Sequence, residues 1–153
     1  MKRFLFLSLI ALPLLFYNCK AENPKSKNES GSSSIAVINL TNAEFKKLVF
    51  NYDANKEWKY EGKLPAIIDF YADWCAPCRQ LSPIVEEIAK EYSGKIVVYK
   101  VDTEKEPELA KKLGISALPT LLFIPAQGKP QVSMGLLPKE DLVKTVNEIL
   151  LIK

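Results

Sequence analysis

The chain has 153 residues, with 21 Lys and Arg against 18 Asp and Glu, a net charge of +3, three cysteines and no histidine. So small and interleaved a charge excludes a basic stripe for nucleic acid. Without histidine there are no Ser-His or Cys-His nucleophile pairs, and three cysteines neither staple a miniature nor close a four-ligand structural zinc site.

Lys2 and Arg3 precede fourteen largely apolar residues, Phe4 to Tyr17. The stretch is short for a bilayer span and has the proportions of a signal peptide, assigned to residues 1–18. It ends at Cys19, a placement that resembles a bacterial lipoprotein, in which the cysteine sulfur is acylated after cleavage. Tyr17 and Asn18 stand where small residues usually precede that cysteine. The alternatives are cleavage after Ala21, giving a soluble periplasmic protein, and an uncleaved anchor, against which Pro13 and the short length both count. All three place the domain outside the cytoplasm, in the periplasm or cell envelope.

Residues 19–34, ending in KNESGSSS, hold too little apolar material to bury anything and read as a flexible tether. A coil of that length reaches roughly 20 Å, enough to hold a domain clear of head groups.

The remaining residues, 35–153, read as one domain large enough to bury a core without staples. IAVINL (35–40) predicts a strand, and Thr41 with Glu44 offers a capping box for a helix through Phe45, Leu48 and Val49. A polar loop with aromatic interruptions follows, in which Trp58 reads as packing. LPAIIDFYA (64–72) is nearly continuous in apolar residues, as in a central strand covered on both faces. From Pro77 to Tyr92, Leu81, Ile84, Val85 and Ile88 recur at helical spacing. KIVVYKV (95–101) predicts a second buried strand, and EPELAKKLG a short helix ending at Gly114. TLLFIP and QVSMGLL flank a turn with Gly128 and Pro130, a hairpin signal, and the chain closes in an amphipathic helix with Pro138 in its first turn. The order β-α-β-α-β-α-β-β-α predicts an α/β fold with a mixed central sheet and helices on both faces.

Cys75 and Cys78, in ADWCAPCRQLSP, could form a static bridge, half of a metal site or a redox pair. DFYADWCAPC, Pro83 five residues after Cys78, LPT with Pro119, and Gly135 before the last helix together resemble the thioredoxin family over about residues 35–153. The resemblance implies the thioredoxin fold and a redox-active disulfide, Cys75–Cys78, with no other cofactor and no metal.

The residues support that chemistry independently. Cys75 falls where a buried strand hands over to a helix, and the positive helix end favours its thiolate. That makes Cys75 the attacking and more reachable sulfur. Cys78, one turn along and facing inward, resolves the mixed disulfide. Pro77 suits the helix start. Asp69, mid-strand with both faces covered, is desolvated, which raises its pKa.

The resemblance further implies that Asp69 exchanges a proton with Cys78, accompanied by Lys100 from the neighbouring strand. It implies a cis peptide before Pro119, with the Leu118 backbone free to pair with a substrate strand. Trp74, Ala76, Leu118 and Gly135 would line an apolar groove around Cys75. The family's usual pattern has Gly where Ala76 stands.

Strong oxidants of this family often carry a histidine between the cysteines, and this chain has none. Roughly 150 mV, worth about 7 kcal/mol, separates such oxidants from thioredoxin. The expectation is therefore a reductase or isomerase for disulfide-containing exported proteins, with electrons supplied by a transmembrane donor protein. A dedicated reductant in cytochrome c maturation is an alternative. Such relatives usually carry an insertion before the cis-proline, for which the 41-residue interval from Cys78 to Pro119 leaves no room. A redox-silent, tethered peptide-binding module is the remaining alternative.

Overall fold

The computed structural model describes residues 37–151. The predicted signal peptide (1–18), Cys19 and the tether (19–34) lie outside the described residues.

Among these residues the strands β1 (Ile38–Asn39), β2 (Ala66–Tyr71), β3 (Val97–Asp102), β4 (Thr120–Ile124) and β5 (Gln131–Met134) form one sheet, ordered β1-β3-β2-β4-β5. The first three run parallel, and β4 runs antiparallel to both of its neighbours, β2 and β5, so the sheet is mixed as expected. The helices are α1 (Asn42–Leu48), α2 (Ala76–Glu91), α3 (Pro107–Lys112) and α4 (Lys139–Thr145), the last running on into a π-helical turn, Val146–Leu150.

Strand alternation sorts the core onto two faces. Ile67 of β2, Val98 of β3 and Leu121 and Phe123 of β4 pack with Leu81, Val85 and Ile88 of α2 and Leu142 of α4. Ile68, Phe70, Tyr99, Val101 and Leu122 point the other way, onto Phe45 of α1 and Leu109 of α3. The helices therefore lie on both faces. Central β2 is buried at every position from Ala66 to Phe70, which is why its sequence does not alternate.

The capping box forms as read. Thr41 Oγ1 accepts the Glu44 N–H at 3.3 Å, and Thr41 N–H donates to Glu44 Oε2 at 2.9 Å. The first strand is much shorter than predicted, only Ile38–Asn39, and exposed at the sheet edge. Pro138 sits at the cap with extended backbone rather than inside the first turn of α4. In the long loop Trp58 stacks at 4.9 Å on Phe50 and packs on the second core face.

Candidate active site

Strand β2 ends at Tyr71, and the chain turns through Ala72, Asp73 and Trp74 to place Cys75 at the N-cap of α2. Cys75 N–H donates to the Ala72 carbonyl at 3.1 Å, closing the turn. Pro77 falls within the first helical turn, where a missing N–H costs nothing. Ala76 and Pro77 are both exposed. One helical turn brings Cys78 back under Cys75, and the two form a disulfide with an S–S distance of 2.06 Å. Cys75 Sγ takes the cap's role by accepting the Cys78 N–H at 3.2 Å.

Both cysteines are 3% exposed, so burial does not distinguish them in the disulfide form. The expected difference in reach is absent here because the bridge draws both sulfurs into one small cluster with Ala72. What separates them is position. Cys75 lies at the open helix end, and Cys78 is on the face turned towards the sheet.

Asp69 lies on that face, 1% exposed, between Lys100 of β3 and Leu121 of β4 in the strand register. Neither carboxylate oxygen has a hydrogen-bond partner among the described residues. Burial pushes the Asp69 carboxyl up to about 6, with the Lys100 charge pulling partly back. The Lys100 ammonium itself turns elsewhere. It donates to Ser82 Oγ of α2 at 2.7 Å and stands 4.5 Å from the centre of the Tyr71 ring. Tyr71, Cys78, Arg79, Ser82 and Lys100 border a cleft of about 160 Å³. At ~30 Å³ each, a few water molecules fit there.

The Leu118–Pro119 peptide is cis. Leu118 packs against the cysteine cluster, and among the described residues no hydrogen bond engages its backbone. The Pro119 carbonyl accepts the Gly135 N–H at 2.8 Å, which ties the end of β5 to the cysteines. Gly135 holds φ at +90°, a conformation that side chains resist. Trp74 is 67% exposed, and Met134 and Leu136, either side of Gly135, are 65% and 44% exposed.

The structure thus brings together Cys75, Cys78, Trp74, Ala76, Pro77, Leu118, Pro119 and Gly135 at one end of the sheet, with Asp69 and Lys100 beneath. Sequence reasoning missed Ser82, Tyr71, Met134 and Leu136. Ser82 lies four residues after Cys78, a spacing that puts both on one helix face. Met134 and Leu136 flank a glycine already singled out. Among the described residues no group of three or more His, Cys, Asp or Glu could hold a metal.

A mixed sheet with helices on both faces and a disulfide at a helix N-terminus beside a cis-proline define a dithiol–disulfide exchange protein. The family model described as Thioredoxin matches residues 36–148. The chain is 52% identical to a thioredoxin of Borreliella burgdorferi over 110 residues, 72% of this chain and 93% of that protein. It is 38% identical to a thioredoxin of Pyropia yezoensis over 114 residues, 74% of this chain and 97% of the relative. The crystal structure of chloroplastic thioredoxin z superposes with a TM-score of 0.63 at 27% identity, covering 74% of this chain and 93% of that one. The chain belongs to the thioredoxin family. It is a thiol-disulfide oxidoreductase acting on protein disulfides, with the Cys75–Cys78 pair as its redox carrier and no need of an external cofactor.

Proposed function

We propose that this enzyme reduces or isomerises disulfides of exported proteins from a membrane-tethered position outside the cytoplasm. The observation that carries the chemistry is a helix-capped disulfide on the same sheet face as a buried carboxylate without a partner. The export segment and Cys19 support the location and the lipid anchor.

In the reduced enzyme the Cys75 thiolate attacks one sulfur of a substrate disulfide. The substrate S–S bond breaks, its other sulfur leaves as a thiolate that takes a proton, and a mixed disulfide joins Cys75 to the substrate. Exposed Trp74, Met134 and Leu136 offer apolar contact, and the Leu118 backbone offers free hydrogen-bonding groups to an extended peptide. Cys78 then loses its proton to Asp69, which lies on the sheet face that α2 covers, and attacks Cys75 Sγ. The second substrate sulfur leaves, and the Cys75–Cys78 bond closes. A carboxyl titrating at about 6 is ionised in about ten of eleven molecules at pH 7, so Asp69 is ready to accept.

Two electrons leave the enzyme in each cycle. An integral membrane protein carrying a dithiol restores them by the same exchange in reverse. With no imidazole in the chain, nothing of that kind favours the thiolate as in the strongest oxidants, which supports the reducing direction.

The test is trapping in cells with the full chain. Cys78→Ser stops the cycle at the mixed disulfide and should accumulate adducts with exported, cysteine-bearing proteins, and Cys75→Ser should accumulate none. Adducts confined to cytoplasmic proteins would overturn the location, and equal trapping by both variants would overturn the division of labour.

A further inference from the structure

Ser82 has no part in the exchange steps above, yet it makes the closest polar contact recorded for Lys100, Nζ to Oγ at 2.7 Å. Strand register puts Lys100 directly opposite Asp69, so the two side chains leave the sheet on the same face. A buried, partnerless carboxylate is the obvious target for that ammonium, because an ion pair would relieve both desolvation and lost hydrogen bonding. The ammonium instead lies at the cleft, held on one side by a hydroxyl from α2 and on the other by the face of Tyr71 at 4.5 Å. Among the described residues both oxygens of Asp69 are left without a partner.

We propose that Ser82 is a positioning residue that, with the Tyr71 ring, holds Lys100 away from Asp69, keeping the carboxylate unpaired and free to exchange a proton with Cys78. The inference rests on the reading of Asp69 as the proton exchanger. A direct ion pair would stabilise the ionised acid and make it a poor base. With the ammonium parked at the cleft, its charge is close enough to temper the cost of burial without occupying the oxygens. Ser82 reaches this place because it is one turn beyond Cys78 on α2, so the same helix face carries the resolving sulfur and the hydroxyl.

Few other groups compete. The titratable groups bordering the cleft are Lys100 on β3, Tyr71 on the strand of Asp69 itself, Cys78 and Arg79 on α2, and Asp73 in the intervening turn. Asp102, two residues beyond Lys100 on the same strand face, is already paired with Lys105 at 2.8 Å. Arg79 is engaged, donating from Nη1 to the Asp73 carbonyl at 2.9 Å. Strand β4 contributes apolar Leu121, α4 contributes Leu142, and the π-helical turn after it contributes Val146.

The experiment follows the Asp69 carboxyl carbon by NMR across a pH series in the disulfide form, where neither Cys75 nor Cys78 titrates. The parent midpoint is expected near 6. In Ser82→Ala the freed ammonium turns to Asp69, and the midpoint falls by at least about one pH unit, a tenfold loss of proton affinity. Ser82→Thr retains the hydroxyl and restores the parent midpoint. Ser82→Ala combined with Lys100→Met shows no fall, because the lysine is the agent. An unchanged or raised midpoint in Ser82→Ala overturns the proposal, as does a fall that survives Lys100→Met or one that Ser82→Thr fails to reverse. Failure of the underlying reading has a different signature: Asp69→Asn would leave the pH profile of disulfide reduction unchanged, whatever the midpoints do.

Discussion

Asp69 and Lys100 face each other across β2 and β3, but no hydrogen bond or ion pair joins them: the ammonium donates to Ser82 Oγ at 2.7 Å, and both Asp69 oxygens are buried and, among the described residues, unpartnered. A sheet thus carries an ionisable acid in its centre at a net cost to folding. That cost is measurable, and its pH dependence has a definite sign.

The folded-state pKa of Asp69 is about 6, raised from the ordinary 3.8. Protonation is therefore easier in the folded than in the unfolded chain. The stability linked to this group is fully present below pH ~4, is lost as pH rises through ~6 and stays lost above. The difference is of order 3 kcal/mol, from about two pH units at ~1.4 kcal/mol each. Denaturant unfolding of the disulfide form at pH 4 and pH 7.5 should show this dependence. Asp69→Asn should remove most of it and unfold at higher denaturant at pH 7.5. Equal pH dependence in the two proteins would assign the effect to other groups.

Trp74, Met134 and Leu136 are large apolar side chains that the fold leaves exposed. Because Trp74 is 67% exposed, Trp74→Ala should change stability by less than about 0.5 kcal/mol. Losing an aromatic anchor in a docking surface costs upwards of ~1 kcal/mol in binding, so KM for a protein disulfide should rise about five- to tenfold. Reaction with a small disulfide such as cystine, which needs no groove, should keep its rate. A parallel loss for both substrates would mean that Trp74 supports the cysteines rather than the substrate.

These outcomes differ in how far they can be read from residue order. The buried run of β2, the Thr41 capping box and the helix stripe of α2 are local patterns, and each forms where its spacing points. So does the placement of Asp69, because an acid inside an apolar run has nowhere to go but the core. The partner of Lys100 is not local: its choice of Ser82 depends on how α2 lies over the sheet. Met134 and Leu136 look like ordinary strand hydrophobics in the sequence. Only the bond between Gly135 and Pro119 shows that they end beside the cysteines. The equal burial of the two sulfurs belongs to the closed bridge, which draws both into one cluster.

Gly135 offers a test of how the hairpin is fastened. Its φ of +90° is strained for any residue with a Cβ, while a Cβ there would meet nothing within 4 Å. Gly135→Ala should therefore act through the backbone alone and cost about 1–2 kcal/mol. It should also loosen the bond to the Pro119 carbonyl and slow reaction with protein disulfides more than with cystine. Denaturant midpoints and the two rates, measured on the same variant, check both effects. A neutral substitution would show that the loop accommodates a side chain by shifting, and that the bond to Pro119 does not depend on this φ.

The division of labour between the sulfurs rests on the helix end, since burial is equal at 3% for both. Cys75 caps a helix of 16 residues and accepts the Cys78 N–H at 3.2 Å, a contact that strengthens when the sulfur carries charge. Cys78 faces the sheet, on the side where Asp69 is ionised at neutral pH, and a second negative charge there is disfavoured. Alkylation of the reduced enzyme over a pH series, located by fragmentation of the peptide carrying both cysteines, should therefore modify Cys75 at lower pH, with roughly tenfold preference at pH 7. Asp69→Asn should leave the Cys75 profile in place and let Cys78 react at lower pH than in the parent. If Cys78 reacts first, or both follow one curve, the helix end is not what activates the pair, and the attacking role passes to the other sulfur.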